Sequence, residues 1–94
     1  MFAESVEIDL SQVTDKEQFH DLIEEKLPCP DFYGRNMDAF HDVLTGCEEF
    51  MVHEIIFSGC DAFREAMPKY MAALEVMCIE ATEDNSQLTI VFED

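Results

Sequence analysis

Positive charge is what this sequence has least of. Five Lys and Arg residues stand against 22 Asp and Glu, a formal net charge of -17 at pH 7. A field of that sign repels nucleic acid and anionic membrane, which sets both aside as direct partners, and it attracts cationic ones. Long apolar runs are also missing, for no stretch approaches the roughly 18 residues a membrane span needs. The opening MFAESVEIDL has no basic region followed by an apolar run, so no signal peptide is read there. There is no internal repeat, low-complexity segment or Gly/Ser linker. The four cysteines, Cys29, Cys47, Cys60 and Cys78, lack CxxC spacing, which argues against a zinc ribbon or a redox dithiol. A cytoplasmic protein with reduced, mostly buried thiols is the expectation, with no cofactor or metal required.

Apolar residues, by contrast, are plentiful. They make up 48% of the chain and include eight Phe, so the acidic balance does not imply a disordered tail. Ninety-four residues suit one domain spanning residues 1–94, expected to be a monomer when free. At this length folding removes roughly 60–70% of the extended-chain surface from water. On composition alone, acidity that serves only solubility stays open.

The periodicity then orders the elements. SVEIDL alternates Val6, Ile8 and Leu10 with polar residues, the period of two of an edge strand. In VTDKEQFHDLIEEKL, Thr14 and Glu17 have capping-box spacing, and Phe19, Leu22, Ile23 and Leu27 share a helix face. Pro28 and Pro30 stop that helix. FMVHEIIF, with Val52, Ile55, Ile56 and Phe57, reads as a strand covered on both faces. A short helix follows in SGCDAFREAM, with Ser58 or Asp61 near its start, and Pro68 opens the next. That longer helix carries Tyr70, Leu74, Met77, Cys78 and Ala81 on one stripe, with Asn85 as its C-terminal cap. The chain closes on a strand from Leu88 to Phe92. Strand, helix, helix, strand, helices, strand gives an α/β fold: a small three-stranded parallel sheet packed by about four helices.

The chemistry concentrates in FYGRNMDAFHDVLTG, residues 32–46. Gly34 suits a turn conformation that a Cβ would strain, and Asn36 is placed as helix N-cap. At about 100° per residue, Met37, Phe40, Val43, Leu44 and Cys47 gather on one side. Asp38, His41, Asp42 and Thr45 gather opposite, and Gly46 ends the helix. Asp38 lies in the first turn, where the helix dipole favours an anion, but Asp42 is mid-helix, one turn from a like charge. Such a pair costs roughly 0.2–0.5 kcal/mol in an isolated helix. Solvated surface acids and a surface histidine are the plain alternative. His20 and His53 do not converge with His41 on a metal-ligand spacing. A carboxylate pair for glycoside hydrolysis needs a cleft that an exposed helix face does not offer, so an enzyme using Asp38, Asp42 and His41 is the weaker reading.

LPCPDFYGRNMDAFHDVLTG, some twenty contiguous residues, resembles the signature region of the barstar family, intracellular inhibitors of barnase-type secreted ribonucleases. The shared pattern is Pro, any residue, aromatic, Tyr-Gly, any residue, Asn, apolar, Asp-Ala, then Asp and Leu-Thr-Gly. The ending LTIVFED resembles the family's last strand. The resemblance implies a barstar-like fold and a bacterial antitoxin role. It implies no catalysis by the chain itself. The loop and second helix would block a basic secreted-type ribonuclease, with carboxylates standing where the enzyme holds RNA phosphates. Guanidinium–carboxylate bonds suit that mimicry because their geometry can be bidentate, and the acidic field would speed encounter. The barnase–barstar complex is itself an instance of such charge coupling. Matched position by position, Asp42 is the principal phosphate mimic and Asp38 a second interface acid. Asn36, Met37, Ala39, Thr45 and Gly46 match the surrounding contact surface. Phe32 stands where the founding member has a contact tyrosine, and Glu80 on the last helix matches a further interface acid. His41 and Cys47 replace tryptophans, which thins aromatic anchoring, and Arg35 replaces a loop acid, which would oppose a cationic partner. An acidic interaction module for a different basic protein is the alternative.

Overall fold

A computed structural model describes residues 5–27, 33–46 and 52–94. Strands β1 (Ser5–Asp9), β2 (Glu54–Ser58) and β3 (Thr89–Phe92) form one parallel sheet in the order β1-β2-β3. Helices α1 (Lys16–Lys26) and α2 (Met37–Gly46) connect the first two strands. Helices α3 (Cys60–Ala66) and α4 (Pro68–Asp84) connect the last two. This is the expected three-stranded α/β arrangement with four helices, and β1 is an edge strand.

Strand order decides which face is covered. Both crossovers step in the same direction, so right-handed connections put their helices on the same side of the sheet. Burial follows that rule. The registered rows Val6–Ile55–Ile90 and Ile8–Phe57–Phe92 pack into the core, with Ile8, Ile55 and Phe57 at 0% exposure. The row Glu7–Ile56–Val91 points away and is only partly covered. The reading of β2 as covered on both faces is therefore corrected. Ile56 belongs to the open face, where Ser5 Oγ donates to Glu54 (2.8 Å) and Ser58 Oγ to Glu7 (3.1 Å).

Between sheet and helices the core is aromatic. Phe19 of α1 lies 5.8 Å from Phe63, stacked, and 6.2 Å edge-on from Phe40. Phe40 in turn meets Phe57, which stacks on Phe92 at 5.5 Å. One chain of rings thus ties α1, α2, α3, β2 and β3 together, each pair adding about 0.5–1.5 kcal/mol to its burial. Cys60 and Cys78 are buried free thiols, and burial pushes both thiol pKa values up, that of Cys78 to about 12. Cys29 and Cys47 lie outside the described residues, as do Pro28 and Pro30.

One helix start differs from the pattern reading. The cap of α1 is Asp15, one residue later than Thr14, and its side chain accepts from Gln18 N at 2.8 Å. Gln18 accepts in turn from Thr14 N, also at 2.8 Å, rather than from Asp15 N, so Asp15 caps the helix without the expected Thr14–Glu17 box. Ser58 and Asp61 lie on either side of the start of α3, as expected, and its cap residue is Gly59 in the left-handed region (φ 67), where an added Cβ would sit 2.6 Å from the Ser11 backbone nitrogen. Pro68 at the first turn of α4 and Asn85 at its C-terminal cap stand as expected.

Among the described residues, one polar side chain is buried in this core. His20, 1% exposed, places Nδ1 2.7 Å from the Tyr33 hydroxyl and Nε2 2.6 Å from the Tyr70 hydroxyl. A neutral imidazole satisfies both, one nitrogen donating and the other accepting; an imidazolium would need two acceptors. Burial, with the Arg35 charge second, lowers its pKa from 6.5 to about 4. Above pH 6.5 the group is neutral folded and unfolded, and stability is flat in pH. Between about 6.5 and 4 only the unfolded chain takes up the proton, so stability falls as pH falls. The unfolding constant should rise about tenfold per pH unit across that window through this group. Urea melts at half-unit steps between pH 7 and 5 test it, because His20→Gln should remove that component of the slope. An unchanged slope would assign the acid sensitivity elsewhere.

Candidate functional site

The polar face of α2 starts from its cap. Asn36 Oδ1 accepts from Ala39 N at 2.7 Å, so the expected N-cap is in place. The left-handed residue of the preceding loop is Arg35 (φ 56), not Gly34. Gly34 serves close approach instead, since a Cβ there would lie 3.3 Å from the Ala39 methyl. Bonds to α1 hold the Arg35 conformation. Its guanidinium donates to Glu24 (2.6 Å), to Asp21 (2.7 Å) and to the Glu17 carbonyl (3.1 Å). Asp21 and Glu24 thereby push the guanidinium's already high proton affinity higher. The worry that Arg35 opposes a cationic partner is thus answered by geometry: α1 supplies the acids that balance it.

α2 packs along α4, and Asn85 fixes the pairing by donating its side-chain amide to Leu44 O at 3.0 Å. That carbonyl is in the last turn of α2, where helix acceptors lack intrahelical partners. Phe40, Val43 and Leu44 are buried on the inner side of α2, as are Met71, Leu74, Met77, Cys78 and Ala81 on α4. Their outer sides diverge into an open groove of about 590 Å³. Met37, Asp38, His41, Asp42 and Glu80 line it, together with Ala72, Ala73, Val76 and Met77. The view that the acidic helix face offers no cleft is corrected, because α4 supplies the second wall. Its breadth nonetheless leaves Asp38, Asp42 and Glu80 exposed to water.

Among the predicted site residues, Met37, Asp38, His41, Asp42 and Glu80 are brought together in this groove. Asn36, Ala39, Thr45 and Gly46 lie on or beside α2 but outside the groove lining. Thr45 Oγ1 donates to the His41 carbonyl at 2.8 Å. A Cβ at Gly46 would meet none of the described residues within 4 Å. Phe32 falls outside the described residues. His41 is no idle surface group, since its Nε2 lies 3.2 Å from Asp84 Oδ2 across the two helices. Pattern reading missed Ala72, Ala73, Val76 and Asp84. The available signal was that Val76 falls off the stripe formed by Leu74, Met77, Cys78 and Ala81.

Electrostatics set this groove apart. Neither Lys nor Arg lines it. α2 contains none, and the one cation on α4, Lys69, sits eleven residues before Glu80, about 16 Å along the axis. Arg35 is bound on α1, Arg64 pairs with Asp61 and Glu75, and Lys16 lies over the Tyr70 ring. Glu80, Glu83 and Asp84 also crowd the C-terminal turns of α4, where the helix dipole disfavours anions. Such a face can bind a cationic surface, and it costs the free protein stability. Asp42→Asn should therefore stabilise the free chain by about 0.2–0.5 kcal/mol at low salt. The gain should shrink as salt screens the repulsion. Paired urea titrations at low and high salt measure it, and a loss of stability at low salt would contradict the electrostatic account.

Comparison with known proteins agrees with this picture. The family model described as "Barstar (barnase inhibitor)" matches residues 3–93. A Bacillus subtilis (strain 168) protein named "Putative ribonuclease inhibitor YrdF" is 57% identical over 30 residues. That similarity covers 32% of this chain and 33% of the Bacillus protein.

Proposed function

The chain belongs to the barstar family, and on that premise we propose that it is an antitoxin-like inhibitor of a basic, barnase-type ribonuclease. Asp42, flanked by Asp38 and Glu80, takes the place of RNA phosphates in the enzyme's cationic cleft. The observation that carries this reading is the convergence of acids from α2 and α4 on one groove without a Lys or Arg in its lining. Local structure accounts for Asp38 through the helix N-terminus but not for Asp42 or Glu80. A cationic cleft closing over the groove would relieve their repulsion, so energy withheld from folding returns on binding. The cap at Asn36 and the Arg35 bonds to α1 hold the loop before contact, which reduces the ordering cost of association.

Long-range attraction from the net charge of -17 would speed encounter with a basic enzyme. Gly46, with no side chain, leaves a flat approach at the end of α2. His41, held by Asp84, presents an imidazole edge to the groove. Such changes suit a basic enzyme whose surface differs from that of barnase itself.

Inhibition titrations against barnase and other small basic ribonucleases, at several salt concentrations, test the proposal. Asp42→Ala should raise the inhibition constant at least about thirtyfold, the loss of roughly 2 kcal/mol in hydrogen bonds to a charged group. Association of the unaltered chain should slow steeply as salt increases, and that of the variant less so. Equal inhibition by both proteins would rule out phosphate mimicry by Asp42. A basic protein without ribonuclease activity that binds through the same groove would establish the alternative, an acidic interaction module.

A further inference from the structure

Val76 and Ile79 are the two large apolar side chains left exposed among the described residues, at 56% and 60%. Both belong to α4 and, three residues apart, are neighbours on its surface. Val76 also lines the groove beside Ala72. The apolar part of the groove thus continues over the rim of α4 onto open surface. Nothing local calls for these residues. β-Branched side chains are poorer helix formers than Ala or Leu, and at these positions they hold apolar area against water. A single exposed aliphatic residue needs no explanation; a pair continuous with a charged groove has the character of a contact surface.

Charge complementarity selects the occupant. A second copy would bring its own Asp38, Asp42 and Glu80 towards the same acids, and two chains of charge -17 repel. An anionic lipid surface is repelled for the same reason. A basic protein is attracted, and one with an apolar side chain beside its cationic cleft fills both parts of the surface at once. We propose, building on the inhibitor reading above, that the α4 stripe of Ala72, Val76 and Ile79 receives such a side chain and discriminates among basic ribonucleases. The acids bond at contact and also steer encounter at long range, whereas the stripe acts only at contact and affects dissociation alone.

The test uses the full chain and whichever ribonuclease of the panel above it binds most tightly. Val76→Gln/Ile79→Gln keeps good helix formers in α4, and circular dichroism confirms the fold. The double variant should bind about ten- to a hundredfold more weakly, almost entirely through faster dissociation, with the salt dependence of association unchanged. Asp42→Ala should instead slow association and flatten its salt dependence. If the double variant matches the unaltered chain while Asp42→Ala loses inhibition, the stripe is overturned and the inhibitor reading stands. Failure of the unaltered chain to bind any ribonuclease of the panel overturns both. A free chain that sediments as a dimer, dissociated by the double variant, also overturns the proposal by giving the stripe to a second copy.

Discussion

Much of the geometry on the acidic side of the molecule depends on one buried imidazole. His20 sits on α1, yet its two ring nitrogens are bonded to Tyr33, shortly before α2, and to Tyr70 on α4. Those bonds place the loop and α4 against the same helix. α1 also holds Arg35, the left-handed residue of that loop, through Asp21 and Glu24. A buried polar group is costly unless it is fully bonded, so this arrangement is specific: displacement of either tyrosine would leave a ring nitrogen unpaired in the core. The wall geometry of the groove is fixed by the packing of α2 on α4, by the Asn85 bond to Leu44 and by the His41–Asp84 contact, while α1 holds the preceding residues Tyr33 and Arg35.

The scarcity of cations makes their placement informative. Both arginines are engaged with acids outside the groove, and α2 carries no balancing charge. A sequence selected only for solubility could scatter its acids and neutralise the worst pairs. Here Asp38 and Asp42 repeat within one turn of α2, and Glu80 faces them from α4. Under the proposed function, local stability is given up where the surface would meet positive charge, and the aromatic core supplies the reserve that permits it. Parallel strands stepping in one direction leave no reversal of strand order, the place where open α/β sheets usually bind ligands. The proposed binding surface lies instead on the outer sides of two helices, where a flat protein surface could reach it.

Much of the fold could be read from periodicity and punctuation. Val6 and Ile8 marked an edge strand, Pro68 opened α4, and Asn85 closed it. Asn36 was legible because a capping side chain acts within three residues of itself. The misplacements were also local. Thr14–Glu17 and Asp15–Gln18 offer the same capping spacing one residue apart, and the helix starts after Asp15. The assignment of the left-handed conformation to Gly34 failed because glycine tolerates that region but does not require it. At Arg35 the neighbouring acids of α1 stabilise what a Cβ disfavours.

What the sequence determined by itself was the set of elements, their order, the excess of negative charge, and a contiguous signature on one amphipathic helix. These depend on side-chain spacing and on interactions within a turn or two, which one-dimensional pattern carries. Only the tertiary structure decided which sheet face stays open, that Arg35 is balanced by α1, that His41 reaches Asp84, and that Glu80 and Val76 share a groove with Asp42. Each of these joins residues far apart in the chain. Their proximity follows from the common handedness of two crossovers and the packing of α2 against α4, neither of which is written at any single position.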